Sequence, residues 1–283
     1  MRKKMRSTTV IVSAAGLIVL LLSGCASGGN GATPSASAAP SATATAMATA
    51  TATAQSTAAV TPTQPAVTAD GSSAVPKSAA VAYSYFNDAV FIGDSVSLKL
   101  KNYVTEKRQT DPGFMGKALF LVSGSLGSGN ALWEVGDESV HPTYKGEKMT
   151  LEESVTRCGA KKVYIMLGIN DIAVYGIDGA VGNMETMVER IREASPGVKI
   201  FIQSATPMTR EGEKNKLNNR SLVVYDNALE ELCNSNGYYY INVASVMRDG
   251  EGFLPDDLSS DNYVHFTDAA CVKWIDYLRT HTA

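Results

Sequence analysis

The chain has 283 residues, a formal net charge of −3, 45% hydrophobic residues, three histidines and four cysteines. Taking Arg2, Lys3, Lys4 and Arg6 from the 25 basic residues leaves 21 against 28 acidic ones, a charge of −7 that argues against nucleic acid as a partner. With no His-x-x-x-His and no Cys-x-x-Cys spacing, neither a metal nor an organic cofactor is called for.

The opening "MRKKMRSTTVIVSAAGLIVLLLSGCASGG" sets basic residues before an apolar run and a small-residue site, the layout of a secretory signal peptide. The run is shorter than the roughly 20 residues of a spanning helix. It ends in Leu22-Ser23-Gly24-Cys25, which resembles the lipobox of bacterial lipoproteins. Residues 1–24 are thus expected to be a signal peptide and Cys25 the lipidated N-terminus, giving an extracytoplasmic protein anchored to the bacterial membrane. An uncleaved signal anchor is the alternative. Residues 25–77 are almost wholly Ala, Thr, Ser, Pro and Gly, cannot bury a core, and read as a tether. The remaining segment, 78–283, suffices for one folded domain.

Within that domain, "DAVFIGDS" predicts a short buried strand, and "SVSLKLKNYVTEK" a helix directly after it. "ALFLVSG" is a second strand, followed by the Gly/Ser-rich loop "SGSLGSGN". "TLEESVTRCG" is a helix opened by Thr150 with Glu153 at capping-box spacing, leading to the apolar strand "KKVYIMLG". Met184, Met187, Val188 and Ile191 mark the inner face of a helix stopped by Pro196-Gly197. "VKIFIQSATPM" is a strand, "SLVVYDNALEELCNSNG" a helix closed by Gly237, "YYYINV" a strand, and a last helix runs from about Thr267. Strands alternating with helices imply a parallel sheet covered on both faces, with ligands at the strands' carboxyl ends. Cys158, Cys233 and Cys271 are expected to be buried thiols, with one disulfide as the other option.

Four positions at such strand ends carry chemistry. Ser95 sits in a Gly-Asp-Ser turn between strand and helix, as a nucleophile or as a helix cap. Of the histidines, His281 is third from the end, His141 lies in a polar loop able to line a cleft, and His265 stands before the last helix with Asp261 four residues upstream. Asn170 follows the most apolar strand and can donate to an oxyanion. The loop glycines let amides approach a ligand, while the absence of Gly-x-x-x-x-Gly-Lys speaks against a nucleotide.

These blocks together resemble the SGNH hydrolases, or GDSL-type esterases: Gly93-Asp94-Ser95, Ser128-Gly129-Asn130, Gly168-Ile169-Asn170-Asp171, and the segment ending at His265, in the right order. The resemblance implies an α/β fold, a flavodoxin-like three-layer α/β/α sandwich with a parallel central sheet. It also implies ester hydrolysis through an acyl-enzyme, with Ser95 as nucleophile and His265 as base. The oxyanion would be held by the amides of Ser95 and Gly129 and the side chain of Asn170, with Gly127 or Gly124 as other amide donors. Asp94 and Asp171 read as acceptors that hold their turns. The family's usual Asp-x-x-His is not met, because Asn262 stands three residues before His265. Either Asp261 reaches the imidazole through a bulged loop, or the site is a dyad helped by a backbone carbonyl.

The function expected is a tethered serine esterase acting on acyl esters, O-acetyl groups among them, of an envelope or dietary polysaccharide. Trp133, Tyr144 and Tyr175 are candidate sugar-stacking residues, with His141 lining the cleft. An O-acyltransferase using the same site and a non-catalytic glycan-binding lipoprotein on the same fold are the rival readings.

Overall fold

The computed structural model describes residues 74–283. The expected signal peptide 1–24, the lipidation site Cys25 and all but the last residues of the tether lie outside the described residues. Among the described residues, pairing is already present at Ala74, four residues before the expected start of the domain: Ala74 bridges Tyr240 in parallel, and the Val75 amide donates to the Tyr240 carbonyl at 2.9 Å.

Five parallel strands make the central sheet: β1 (Ala89–Gly93), β2 (Leu119–Val122), β5 (Lys162–Met166), β6 (Lys199–Gln203) and β7 (Tyr239–Ile241), in the order β2-β1-β5-β6-β7. All five coincide with predicted apolar runs. The order reverses at β1, so the crevice between the ends of β1 and β5 is where a ligand belongs in an open α/β sheet. Two short strands outside it, β3 (Thr143–Tyr144) and β4 (Glu147–Lys148), pair through a Lys145-Gly146 turn with both φ angles positive (52° and 86°). This is the primed two-residue turn that matches strand twist. The sequence reads as a polar loop there, since a two-residue strand has no room for alternation.

Alternate strand residues face opposite layers. Val90, Ile92, Val163, Ile165, Ile200 and Ile202 meet α2 (Leu151–Cys158), α3 (Ile172–Ala194) and α4 (Asn219–Asn236). On the other face, Phe91, Tyr164 and Phe201 meet α1 (Ser95–Lys107), the short α5 (Ala244–Met247) and α6 (Asp268–Thr280). This is a three-layer α/β/α fold. Rings at paired positions on that second face stack across the sheet: Phe120 on Phe91 at 5.3 Å, Phe91 on Tyr164 at 4.8 Å, Tyr164 on Phe201 at 4.4 Å and Phe201 on Tyr239 at 4.8 Å.

Helix boundaries follow their sequence signals. Thr150 accepts from the Glu153 amide at the start of α2, and Gly159 and Gly237 end α2 and α4 in the left-handed conformation. The inward residues Met184, Met187, Val188 and Ile191 of α3 are buried as their spacing predicts. That helix begins earlier than its apolar period, at Ile172, because Gly176 (φ 72°, ψ 179°) sets off one exposed turn from the amphipathic body. Cys233 and Cys271 are buried, Cys158 is half-buried, and all three are free thiols.

Candidate active site

Ser95 stands where β1 passes into α1. Gly93 is required at this crossing, since a Cβ there would lie 2.0 Å from Ser97 Oγ and 2.9 Å from the Met166 carbonyl. The cap of α1 is Asp94, whose carboxylate accepts from the Val96 amide at 2.9 Å. Ser95 is therefore the first helical residue and its hydroxyl is not used in capping. Burial pushes the Asp94 carboxyl up to about 7, against the hydrogen bonds from Val96 and Ser97 and the attraction of His265. A carboxyl raised above its unfolded value near 3.9 binds more protons in the native state, so its contribution to stability falls between about pH 4 and pH 7 and is constant above. Asp94→Asn keeps a cap of similar quality without the buried charge. Thermal melts are expected to show the variant gaining on the parent as pH rises from 4.5 to 8. Parallel curves at the two pH values would remove Asp94 as the cause.

His265 reaches Ser95 from the loop between the short turn Asp256–Leu258 and α6. Its Nε2 lies 2.9 Å from Ser95 Oγ, and its Nδ1 lies 2.5 Å from Asp261 Oδ2. Burial raises the Asp261 carboxyl, but hydrogen bonds from the His265 side chain, the His265 amide and the Tyr263 amide outweigh it and hold the group below the usual carboxylate range. An ionised carboxylate only accepts, so Nδ1 carries the imidazole proton and Nε2 presents its lone pair to the serine hydroxyl. The acid reaches the ring from four residues away because Asn262 adopts φ 54°, adding one residue at the tip of the loop. Asn is one of the few side chains that tolerate this region. Of the two arrangements left open by the shifted acid, the bulged loop is the one formed.

The loop after β2 departs from expectation at Gly129. Its amide donates to Asp171 Oδ1 at 3.0 Å, and the Ser128 amide donates to Oδ2 at 2.9 Å, so Gly129 is not available to an oxyanion. The Gly127 amide is likewise taken, by Asn130 Oδ1 at 2.8 Å. Gly124 remains: its amide has no acceptor among the described residues, and it lies in open space. Register places it at the site, because Gly93 pairs with Val122 and the Ser123 amide donates to the Gly93 carbonyl at 3.1 Å. The amide of Ser95, in the first turn of α1, also has no acceptor among the described residues. Asn170 Nδ2 donates one hydrogen to the Leu126 carbonyl at 3.0 Å, which leaves its second. Gly168, just before Asn170, has φ 135° and lies against the Tyr225 ring, where a Cβ would come to 2.3 Å.

The model of the GDSL-like lipase/acylhydrolase family matches residues 147–271, which hold Asn170, Asp261 and His265 but neither Ser95 nor Gly124. Family and fold both support an SGNH hydrolase. Solved structures share that fold at low identity. A provisionally named platelet activating factor of Streptococcus pneumoniae is 20% identical with a TM-score of 0.52, over 70% of this chain and 87% of that one. A provisionally named acylhydrolase of Bacteroides fragilis is 17% identical at 0.52, over 72% and 88%. A GDSL-like lipase of Bacteroides thetaiotaomicron is 18% identical at 0.51, over 67% and 85%. A search of curated proteins finds no match. The family supports a carboxylic ester hydrolase.

Around this centre, the side chains proposed from sequence to hold substrate divide. His141 is buried, with Nε2 at 3.1 Å from the Ala131 carbonyl, so it fastens the 131–141 segment and does not line an open cleft. Trp133 is 58% exposed, at the end of the Asn130–Leu132 turn. Tyr175 is 39% exposed, in the separate first turn of α3, with its ring so close over Gly129 that a Cβ there would meet it at 2.3 Å. Tyr144 is half-buried in β3. The neighbouring Val135 and Val174 are exposed as well. The loop bearing Trp133 and Val135 is drawn together by Lys148 Nζ, which donates to the carbonyls of Gly136, Asp137 and Ser139 at 3.1, 2.8 and 2.7 Å. Sequence reasoning passed over this lysine, since nothing local marks an ammonium that closes a loop from nine to twelve residues away.

Proposed function

We propose that the protein is a tethered serine esterase that removes acyl groups, O-acetyl among them, from a carbohydrate of the envelope or surroundings, through an acyl-enzyme. The observation that carries this is the continuous line from Ser95 Oγ through His265 to Asp261 Oδ2, with separations of 2.9 and 2.5 Å. His265 Nε2 takes the hydroxyl proton as Ser95 Oγ bonds to the acyl carbon, then returns it to the departing alcohol. A water repeats the two proton steps in the second half, with release of the acid. Negative charge on the acyl oxygen is met by the amides of Ser95 and Gly124 and by Asn170 Nδ2, at the positive end of α1.

The carbohydrate reading is supported by Trp133 and Tyr175, exposed flat rings suited to stacking on sugars. The surface location is supported by the lipobox-like Leu22-Ser23-Gly24-Cys25 and the polar stretch after it. Asn170→Ala is expected to lower kcat by about 10² to 10³, the usual effect of losing one oxyanion donor, with KM little changed. The reading as a whole is tested with the full chain on p-nitrophenyl acetate and a serine-directed phosphonate, followed by acetate release from acetylated xylan. Turnover and labelling of the parent support it. Silence in both would favour the glycan-binding alternative, and product on an acceptor sugar in place of free acid would favour acyl transfer.

A further inference from the structure

We infer that Thr209 is a positioning residue for the catalytic acid: it fastens the left-handed bulge at Asn262 that brings Asp261 to His265. The inference rests on the esterase reading above.

Asp261 lies four residues before His265, and the chain between them has one residue, Asn262, at positive φ. The loop's stem is regular: Ser259 and Phe266 form an antiparallel bridge, and the Ser260 amide donates to the His265 carbonyl at 2.9 Å. From within, the tip is held by Asp261 Oδ1, which accepts from the Tyr263 amide at 2.9 Å and the His265 amide at 3.2 Å. From outside it is held by the segment after β6. There Thr209 Oγ1 donates to the Asn262 carbonyl at 2.6 Å, and the Thr209 amide donates to the Tyr263 carbonyl at 2.9 Å. These two bonds grip the carbonyls of the left-handed residue and of the one after it, which fixes the direction of the bulge.

Thr209 is itself fully buried, and its Oγ1 accepts the Gly212 amide at 3.1 Å, so the hydroxyl is aimed by a tight turn and not free to rotate away. Gly212 closes against the same peptide: a Cβ there would come to 2.8 Å from Tyr263 Cδ2 and 3.0 Å from both Tyr263 Cα and Thr209 Oγ1. A non-glycine residue is strained at positive φ and relaxes unless the surroundings over-determine it. Relaxation at Asn262 would rotate Asp261 off the imidazole while leaving Ser95, the oxyanion donors and the sugar-facing rings in place. The expected signature is thus a loss in turnover with substrate affinity retained.

The test compares Thr209→Val, which keeps the shape and the backbone bond but removes the hydroxyl, with Thr209→Ser, which keeps the hydroxyl. In the full chain, Thr209→Val should lose about tenfold in kcat, the rate equivalent of one neutral hydrogen bond, with KM within twofold and phosphonate labelling slowed in proportion. Thr209→Ser should recover most of that loss. The short bond to Asp261 should give the parent a deshielded Nδ1 proton of His265 by NMR, and this signal should weaken or shift in the valine form. Asn262→Ala, with the Thr209 contact intact, should show the same loss, and Asn262→Gly, which adopts positive φ freely, should keep most of the parent's rate; this pair tests the bulge if Thr209→Val fails to fold. A parent that hydrolyses and labels beside a valine variant with the same kcat and the same Nδ1 signal would overturn the role of Thr209 alone. A parent that does neither would instead remove the esterase reading on which it rests.

Discussion

Ser95→Ala is expected to reduce ester hydrolysis by about 10⁴-fold or more and to abolish phosphonate labelling, since the residual rate from the oxyanion site alone is far below that of an intact nucleophile. The fold should hardly notice. Asp94 supplies the cap of α1, and among the described residues the only side-chain hydrogen bond of Ser95 is to His265. Ser95 occupies the first helical position, where alanine is a good helix former. Denaturation midpoints within a few degrees of the parent, with activity lost, would separate the chemical role from the structural one. A variant that unfolds well below the parent would mean that the hydroxyl is chiefly a structural group.

The second large effect is expected at Asp261. Asn in its place retains Oδ1, which accepts from the amides of Tyr263 and His265, so the loop keeps its turn. Oδ2 becomes an amino group facing Nδ1, two donors meet, and the imidazole turns to the tautomer whose Nε2 carries a proton and cannot take one from Ser95. The fall in kcat should approach about 10⁴. A drop of less than tenfold would point to a serine–histidine dyad in which the carboxylate is dispensable. The acid also ties stability to pH. Its folded pKa is depressed, so its contribution is present above the unfolded value near 3.9 and fades as pH falls through the folded one. Asp261→Asn should accordingly lower stability at pH 7 and flatten the acid side of the curve, with the two forms converging as pH falls.

What could be read beforehand was whatever depends on a strand and the few residues after it. Ser95 and Asn170 follow the apolar runs of β1 and β5, and parallel pairing then requires them to meet at one edge of the sheet. Asp261 was visible as an acid near His265, but not its reach, which depends on one backbone angle at Asn262 and on a threonine more than 50 residues earlier, at Thr209. The expected oxyanion amide of Gly129 failed for a related reason. Which glycine of "SGSLGSGN" keeps a free amide is settled by Asn130, which takes Gly127, and by Asp171, 42 residues beyond Gly129, whose carboxylate binds the loop at Ser128 and Gly129; Gly124 is left open. His141, placed in a polar loop by its neighbours, is buried because the Ala131 carbonyl gives its ring nitrogen a partner. Local pattern reports which groups are present; it does not report which of them are already engaged.

The stacked rings that cross the sheet at Phe120, Phe91, Tyr164, Phe201 and Tyr239 act as a common datum line for all five strands. A strand displaced by one residue would turn its ring to the opposite layer and leave a gap in the row, so every strand is indexed to the same level. Ser95, Gly124, Asn170 and Thr209 each depart from a different strand only a short count of residues beyond that line. The tolerance with which they meet is thus inherited from an alignment set in the middle of the sheet, and a substitution that empties one ring position would be felt as a vertical offset at the strand ends, without touching any residue found there.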